Sequence, residues 1–128
     1  MKTTIHSIAF AIGFSLLLLC AAAQAQIGPA QEQELADANA ALEMARKGQA
    51  DKYASAEIKR AQAGLQAVNE ARAEKDAVRF SQSARVVRAY AELARALSEL
   101  GMDTEKLAMS NQELQKAKAE IASLKKSK

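Results

Sequence analysis

Glu70 and Glu74 stand one helical turn apart, the spacing at which two carboxylates can share a proton as general acid and base. Arg72, Lys75 and Asp76 surround them, however, and a mixed-sign cluster of this kind is the ordinary composition of a solvated helix face. Tyr53, Tyr90 and Phe80 are the only aromatic residues beyond the first 25, and packing between helices accounts for them better than ligand stacking. Met44, Met102 and Met109 are scattered, which does not suit a soft-metal site. The single cysteine, Cys20, and the single histidine, His6, both fall in the first 25 residues. A chain starting at Gln26 has no thiol nucleophile, imidazole base, disulfide or usual zinc ligand set. The expectation is a protein with no catalytic, cofactor-binding or metal-binding residue, and so not an enzyme.

Charge narrows the partners. The formal net charge is +3 over 128 residues, with 18 basic and 15 acidic side chains well mixed along the chain. Arg79, Arg85 and Arg88 form the only acid-free basic run, between Asp76 and Glu92. A nucleic-acid footprint wants a one-sided basic face, usually with aromatics to stack on bases, and no nucleic-acid partner is expected.

The first 25 residues read as a secretory signal peptide. Lys2 supplies a short basic start, Ile5 to Cys20 is apolar apart from His6, Ser7 and Ser15, and Ala23-Gln24-Ala25 offers an A-x-A cleavage site before Gln26. The apolar run is too short to span a bilayer comfortably. Leu17 lies three before Cys20, as a lipoprotein signal requires, but Leu19 occupies the place where that signal wants Gly, Ala or Ser. Ordinary cleavage, with Cys20 discarded, is the favoured reading over lipid anchoring, and the expected location is the periplasm of a Gram-negative cell.

What would position any side chain here is helix. Apolar residues make up 49% of the sequence but aromatics only 4%, and much of the rest is alanine, the strongest helix former and a small contributor of buried area. No stretch alternates like a strand, so the fold class expected is all-α. Pro29 suits a first turn, Leu35, Ala38, Leu42 and Ala45 make a stripe, and Gly48 ends a helix near 30–48. Ile58, Ala61, Leu65 and Val68 mark a second helix near 54–75, capped by Asp51 or Ser55. Gly64 within it costs about 1 kcal/mol against alanine, which a close helix–helix approach would explain.

Ala73 to Ala77 lacks Gly and Pro, yet Asp76 can cap a third helix near 77–100, returning antiparallel on the second. Val86, Val87, Tyr90, Leu93, Ala94, Leu97 and Leu100 are its expected core stripe, and Gly101 its expected left-handed cap. Beyond it, Asp103 or Thr104 would start a fourth helix near 103–125. There Leu100, Leu107, Leu114 and Ile121 recur every seven residues, with Ser110, Ala117 and Leu124 as companions. The organisation expected is a signal peptide over 1–25, an alanine-rich antiparallel hairpin or bundle over 26–101 and a coiled-coil-like helix over 102–128.

Tyr53-Ala54-Ser55-Ala56-Glu57-Ile58, Ala61, Leu65, Glu74-Lys75-Asp76-Ala77 and the run from Ala84 to Leu97 resemble a bacterial envelope family catalogued as domain of unknown function 4398. The resemblance covers roughly Gln31 to Leu100, although Ser55 stands where that family commonly has proline. It implies an exported helical hairpin or bundle of the cell envelope; some members carry the domain ahead of an OmpA-like peptidoglycan-binding domain. It supplies no catalytic residues. Together these readings predict a structural or adaptor protein of the envelope, associating with itself or with another envelope protein close to peptidoglycan or the outer membrane. A chaperone-like protein and a small-ligand or lipid-binding bundle are the competing expectations.

Overall fold

Four helices account for 90% of the computed structural model, which describes residues 26–127, and no strand occurs among them. The expected leader, with His6, Cys20 and the expected cleavage site, lies outside the described residues. Helix α1 is Pro29–Lys47, α2 is the single turn Ala50–Tyr53, α3 is Ser55–Ala73 and α4 is Ala77–Lys126. The all-α architecture expected from composition is what the chain adopts.

Each start and stop has a local cause. Pro29 opens α1, and the Gln31 side chain reaches back to accept from the Gly28 N–H at 3.0 Å. The helix stops at Gly48, where expected, but the left-handed residue is the next one, Gln49, at φ 64°. Neither Asp51 nor Ser55 caps α3: Asp51 lies inside α2 and Ser55 is already helical, with Ala54 between them in a non-helical kink that has no side-chain cap. The turn from α3 to α4 is a Schellman motif built without glycine. Lys75 takes the left-handed step at φ 58°, its N–H donates to the Arg72 carbonyl, and the Asp76 N–H donates to the Ala71 carbonyl. Asp76 then caps α4 as expected, its carboxylate accepting from the Arg79 N–H at 2.9 Å.

The spine of the molecule is α4. Helices α1 and α3 both pack on it, α3 antiparallel and α1 running alongside in the same direction. The core is mostly alanine: Ala38, Leu42 and Ala45 from α1, Ile58, Ala61, Val68 and Ala71 from α3, and Phe80, Ala84, Val87, Ala91 and Ala94 from α4. Phe80 is its one large aromatic side chain, fully buried. Small side chains let the backbones come close, and Gly64 has the role anticipated for it: a Cβ there would sit 2.7 Å from Val87 Cγ2.

Two expectations about the long helix fail. Gly101 does not cap a third helix, and neither Asp103 nor Thr104 starts a fourth, because α4 runs unbroken for 50 residues, about 75 Å. Gly101 is there for space: a Cβ would stand 2.5 Å from the Tyr53 ring, which lies against the helix at that point. The proposed boundary between a bundle ending at 101 and a separate C-terminal helix is therefore not a break in the chain. The second failure concerns the stripe. Val87 and Ala94 are buried as expected, but Val86, Leu93 and Leu100 are 46%, 44% and 63% exposed.

Candidate functional site

The exposed face of α4 is the feature that needs explaining. Give Leu107 position a of a heptad; Val86, Leu93, Leu100, Leu114 and Ile121 then all take position a, and every one of the six is at least 44% exposed. The d positions are Ala89, Ala96, Asp103, Ser110, Ala117 and Leu124, exposed as well. The buried residues fall in a different register. Ala77, Phe80, Ala84, Val87, Ala91, Ala94 and Ser98 alternate strictly between positions f and b, on the side of the helix away from the a–d seam. Thus α4 is two-faced: small residues and one phenylalanine on the face that holds α1 and α3, and a larger apolar row along the face that holds nothing among the described residues.

The inner face also explains Ser98. It is fully buried, and its hydroxyl donates to the Ala94 carbonyl at 2.7 Å, so the polar group is satisfied within the helix.

Where the packed part of α4 gives way to the projecting part, a polar clamp holds the b and f side. Tyr53 lies against Gly101 at position b and donates from Oη to Glu105, at position f, at 2.7 Å. Lys52 Nζ donates to the two Glu105 carboxylate oxygens at 2.8 and 3.1 Å and to Tyr53 Oη at 2.7 Å, and sits 4.4 Å from the Tyr53 ring centre. Hydrogen bonds first from Lys52 and then from Tyr53 hold the Glu105 carboxyl below its ordinary range. The same contacts, Glu105 foremost, push the Lys52 ammonium up. From Asp103 to Ser127 every residue is exposed, so beyond the clamp α4 projects without a neighbour among the described residues.

The residues singled out for chemistry have been placed in ion pairs or in packing. Glu70 and Glu74 both accept from Arg79, at 2.9 and 2.6 Å, which makes them a surface ion-pair cluster. The basic run is neutralised in space: Arg79 by those two, Arg85 by Glu34 at 2.6 Å and Arg88 by Glu92 at 2.8 Å. Arg72 pairs with Glu32 at 2.5 Å, joining the end of α3 to the start of α1. Tyr90 is half-buried with the Arg60 guanidinium 5.6 Å from its ring centre. Among the described residues, no group of three or more histidine, cysteine or acidic residues could hold a metal ion. A groove of about 350 Å³ between α1 and α4, lined by Asp37, Met44, Arg88 and Arg95 among others, opens onto solvent.

The chain matches no protein-family model, no curated protein and no solved structure. No helix of the described residues is long and apolar enough to cross a membrane. The functional candidate is therefore the seam itself. Sequence periodicity found its outer half from Leu100 onward but assigned Val86 and Leu93 to the core. The continuation was there to be seen in their seven-residue spacing from Leu100.

Proposed function

We propose that the chain is an exported, non-enzymatic helical protein of the bacterial cell envelope, with a structural or adaptor role exercised through helix–helix contacts. One observation carries the contact part of this reading: an apolar row from Val86 to Ile121 that runs the length of α4 and is covered by nothing among the described residues. Large contiguous apolar surfaces of this kind mark interaction sites. Export rests on the leader, and the envelope location on the leader together with the resemblance over residues 31–100.

A single experiment tests both parts. The full sequence is expressed in a Gram-negative host with a photo-crosslinking residue at Leu107, or at Gln112 on the opposite face. Cells are then fractionated, and the mass of the processed amino terminus is measured. The expected result is a periplasmic chain beginning at Gln26, with discrete adducts from position 107 and none from 112. A cytoplasmic chain retaining its first 25 residues would overturn the location, and equal labelling from both faces would overturn the seam. The exposed row also suits a chaperone that holds unfolded clients. That reading predicts suppression of client aggregation by the purified chain and a smear of adducts in place of discrete ones.

A further inference from the structure

Taking the proposed helix–helix role as its basis, the geometry of α4 points to one occupant for the seam: we propose that it is a second copy of this chain, paired parallel and in register along residues 86–124. Charge complementarity selects both the partner and the direction. In a parallel two-stranded coil each g residue faces the e residue five positions on in the other strand. Here Glu113 at g faces Lys118 of the second copy, and Glu120 faces Lys125, and two-fold symmetry repeats both pairs. The remaining g–e combinations, Arg85 with Tyr90, Glu92 with Leu97, Glu99 with Thr104 and Lys106 with Asn111, bring no like charges together.

The antiparallel alternative sets g against g and e against e. Matching Leu114 to Ala117 of the other strand would place Glu113 against Glu120, twice; matching it to Ser110 would place Glu113 against itself, beside two Lys106–Glu120 pairs. Both alignments thus set glutamates against each other along the flanks, where the parallel one has only opposite-charge pairs.

The head, formed by α1, α2 and α3 with residues 77–101 of α4, leaves room for one neighbour. Its helices grip α4 from the b and f side, and Tyr90 and Leu97, at e positions, are already half-buried against the core. The free sector is the a–d seam, joined by the g flank beyond Arg85, which pairs with Glu34, and Glu92, which borders the groove against α1; a single strand covers it. The seam is about 57 Å long and one helix, about 10 Å, wide, so two copies would bury roughly 1,100 Å² between them, just above the roughly 1,000 Å² that a biological interface needs and at the small end of the range. Ser110 at a d position interrupts the apolar seam and, as polar residues do there, ties the strands to one register; Asp103, also at d, would meet its own copy, a contact that its ion pair with Lys106 at 3.1 Å offsets.

Single cysteines test this directly. In the full sequence carrying Cys20→Ala, Leu107→Cys and Ile121→Cys are made separately, with Gln112→Cys as the back-face control. Each purified chain is oxidised mildly and its mass measured in solution. Self-crosslinking at both 107 and 121 but not at 112, with a two-chain mass, is the expected result. In the unsubstituted chain, Glu113→Lys with Glu120→Lys weakens association by about tenfold or more, and adding Lys118→Glu with Lys125→Glu restores it.

Crosslinking at only one of the two seam positions overturns the parallel register, and a three-chain mass overturns the pair. A monomer that forms no disulfide overturns the second copy as occupant. If such a monomer still gives discrete adducts to a different envelope protein from position 107 in cells, the adaptor reading stands without this inference; if it gives none, both fall.

Discussion

The part of α4 within the head, up to Gly101, and the part beyond it share one helix and one seven-residue apolar repeat, yet their energetics have little in common. Within the head, the b and f face meets two other helices and is dry. Its residues are small, and Phe80 fills the one position where a large side chain fits. Beyond Gly101 the same face is held, among the described residues, by the Lys52–Tyr53–Glu105 clamp alone, and after that it is exposed. The a–d seam is exposed on both parts. A helix is therefore kept in place here by the close approach that alanine permits, while its bulkier apolar residues are directed outward. Size alone does not decide which stripe is the core.

Sharp tests of this contrast begin in the head. Phe80→Ala removes the only large aromatic side chain of an alanine core and should cost about 3–5 kcal/mol, a large part of the stability of a small domain. Urea unfolding followed by circular dichroism should show the head transition lost or moved far down, while a modest shift would mean that alanine contacts carry the core by themselves. Gly64→Ala comes next. Helix propensity gains about 1 kcal/mol, but the new Cβ crowds Val87, and overpacking of this kind costs about 1–3 kcal/mol, for a net loss of up to about 2 kcal/mol. A stabilised variant would show that α3 can draw back from α4 at little cost.

On the outer face, Leu107→Ser should change the unfolding free energy of the dilute, unassociated chain by no more than about 0.5 kcal/mol, since nothing among the described residues packs on it. A larger loss would reveal an intramolecular cover for the seam. The smallest effect belongs to the clamp. Glu105→Gln removes an exposed carboxylate whose folded form is held below its ordinary range, so its contribution is present above that range and fades as the pH falls through the lowered value. The Lys52 ammonium is held higher than usual, so its contribution fades only as the pH rises through the raised value. The difference in melting temperature between wild type and Glu105→Gln should accordingly be small and flat from about pH 5 to about pH 10, and shrink outside that window. A difference that changed near neutrality would mean that another group controls the clamp.

Much of the head was legible from local pattern. The α1 and α3 stripes and the Asp76 cap depend on residues within a few turns of one another, and the structure bears them out; Gly64 signalled a close approach by standing inside a helical run, although the residue it makes room for, Val87, lies 23 positions on in α4. The continuation through Gly101 was not legible, because its cause is Tyr53, 48 positions away in sequence and in a different helix. A glycine after an apolar run is a good stop signal only when nothing else requires the missing Cβ. The Schellman turn at Lys75 was hidden for the opposite reason, since a lysine takes the left-handed step usually left to glycine. The seam was half legible. Two apolar stripes interleave on α4, and alanine, at home in either, left the larger residues to be read as the inward ones. Which stripe faces in is decided by the shapes of α1 and α3.

The unbroken passage of α4 through Gly101 has a mechanical consequence. A turn there would have been a hinge, letting the far end swing independently. A continuous helix is instead a stiff lever fixed in the head at one end. With about 37 Å of helix beyond Gly101, a tilt of the head by about 10° carries the tip about 6 Å sideways. The far end of the chain thus reports the orientation of the head, and a load applied at either end reaches the other.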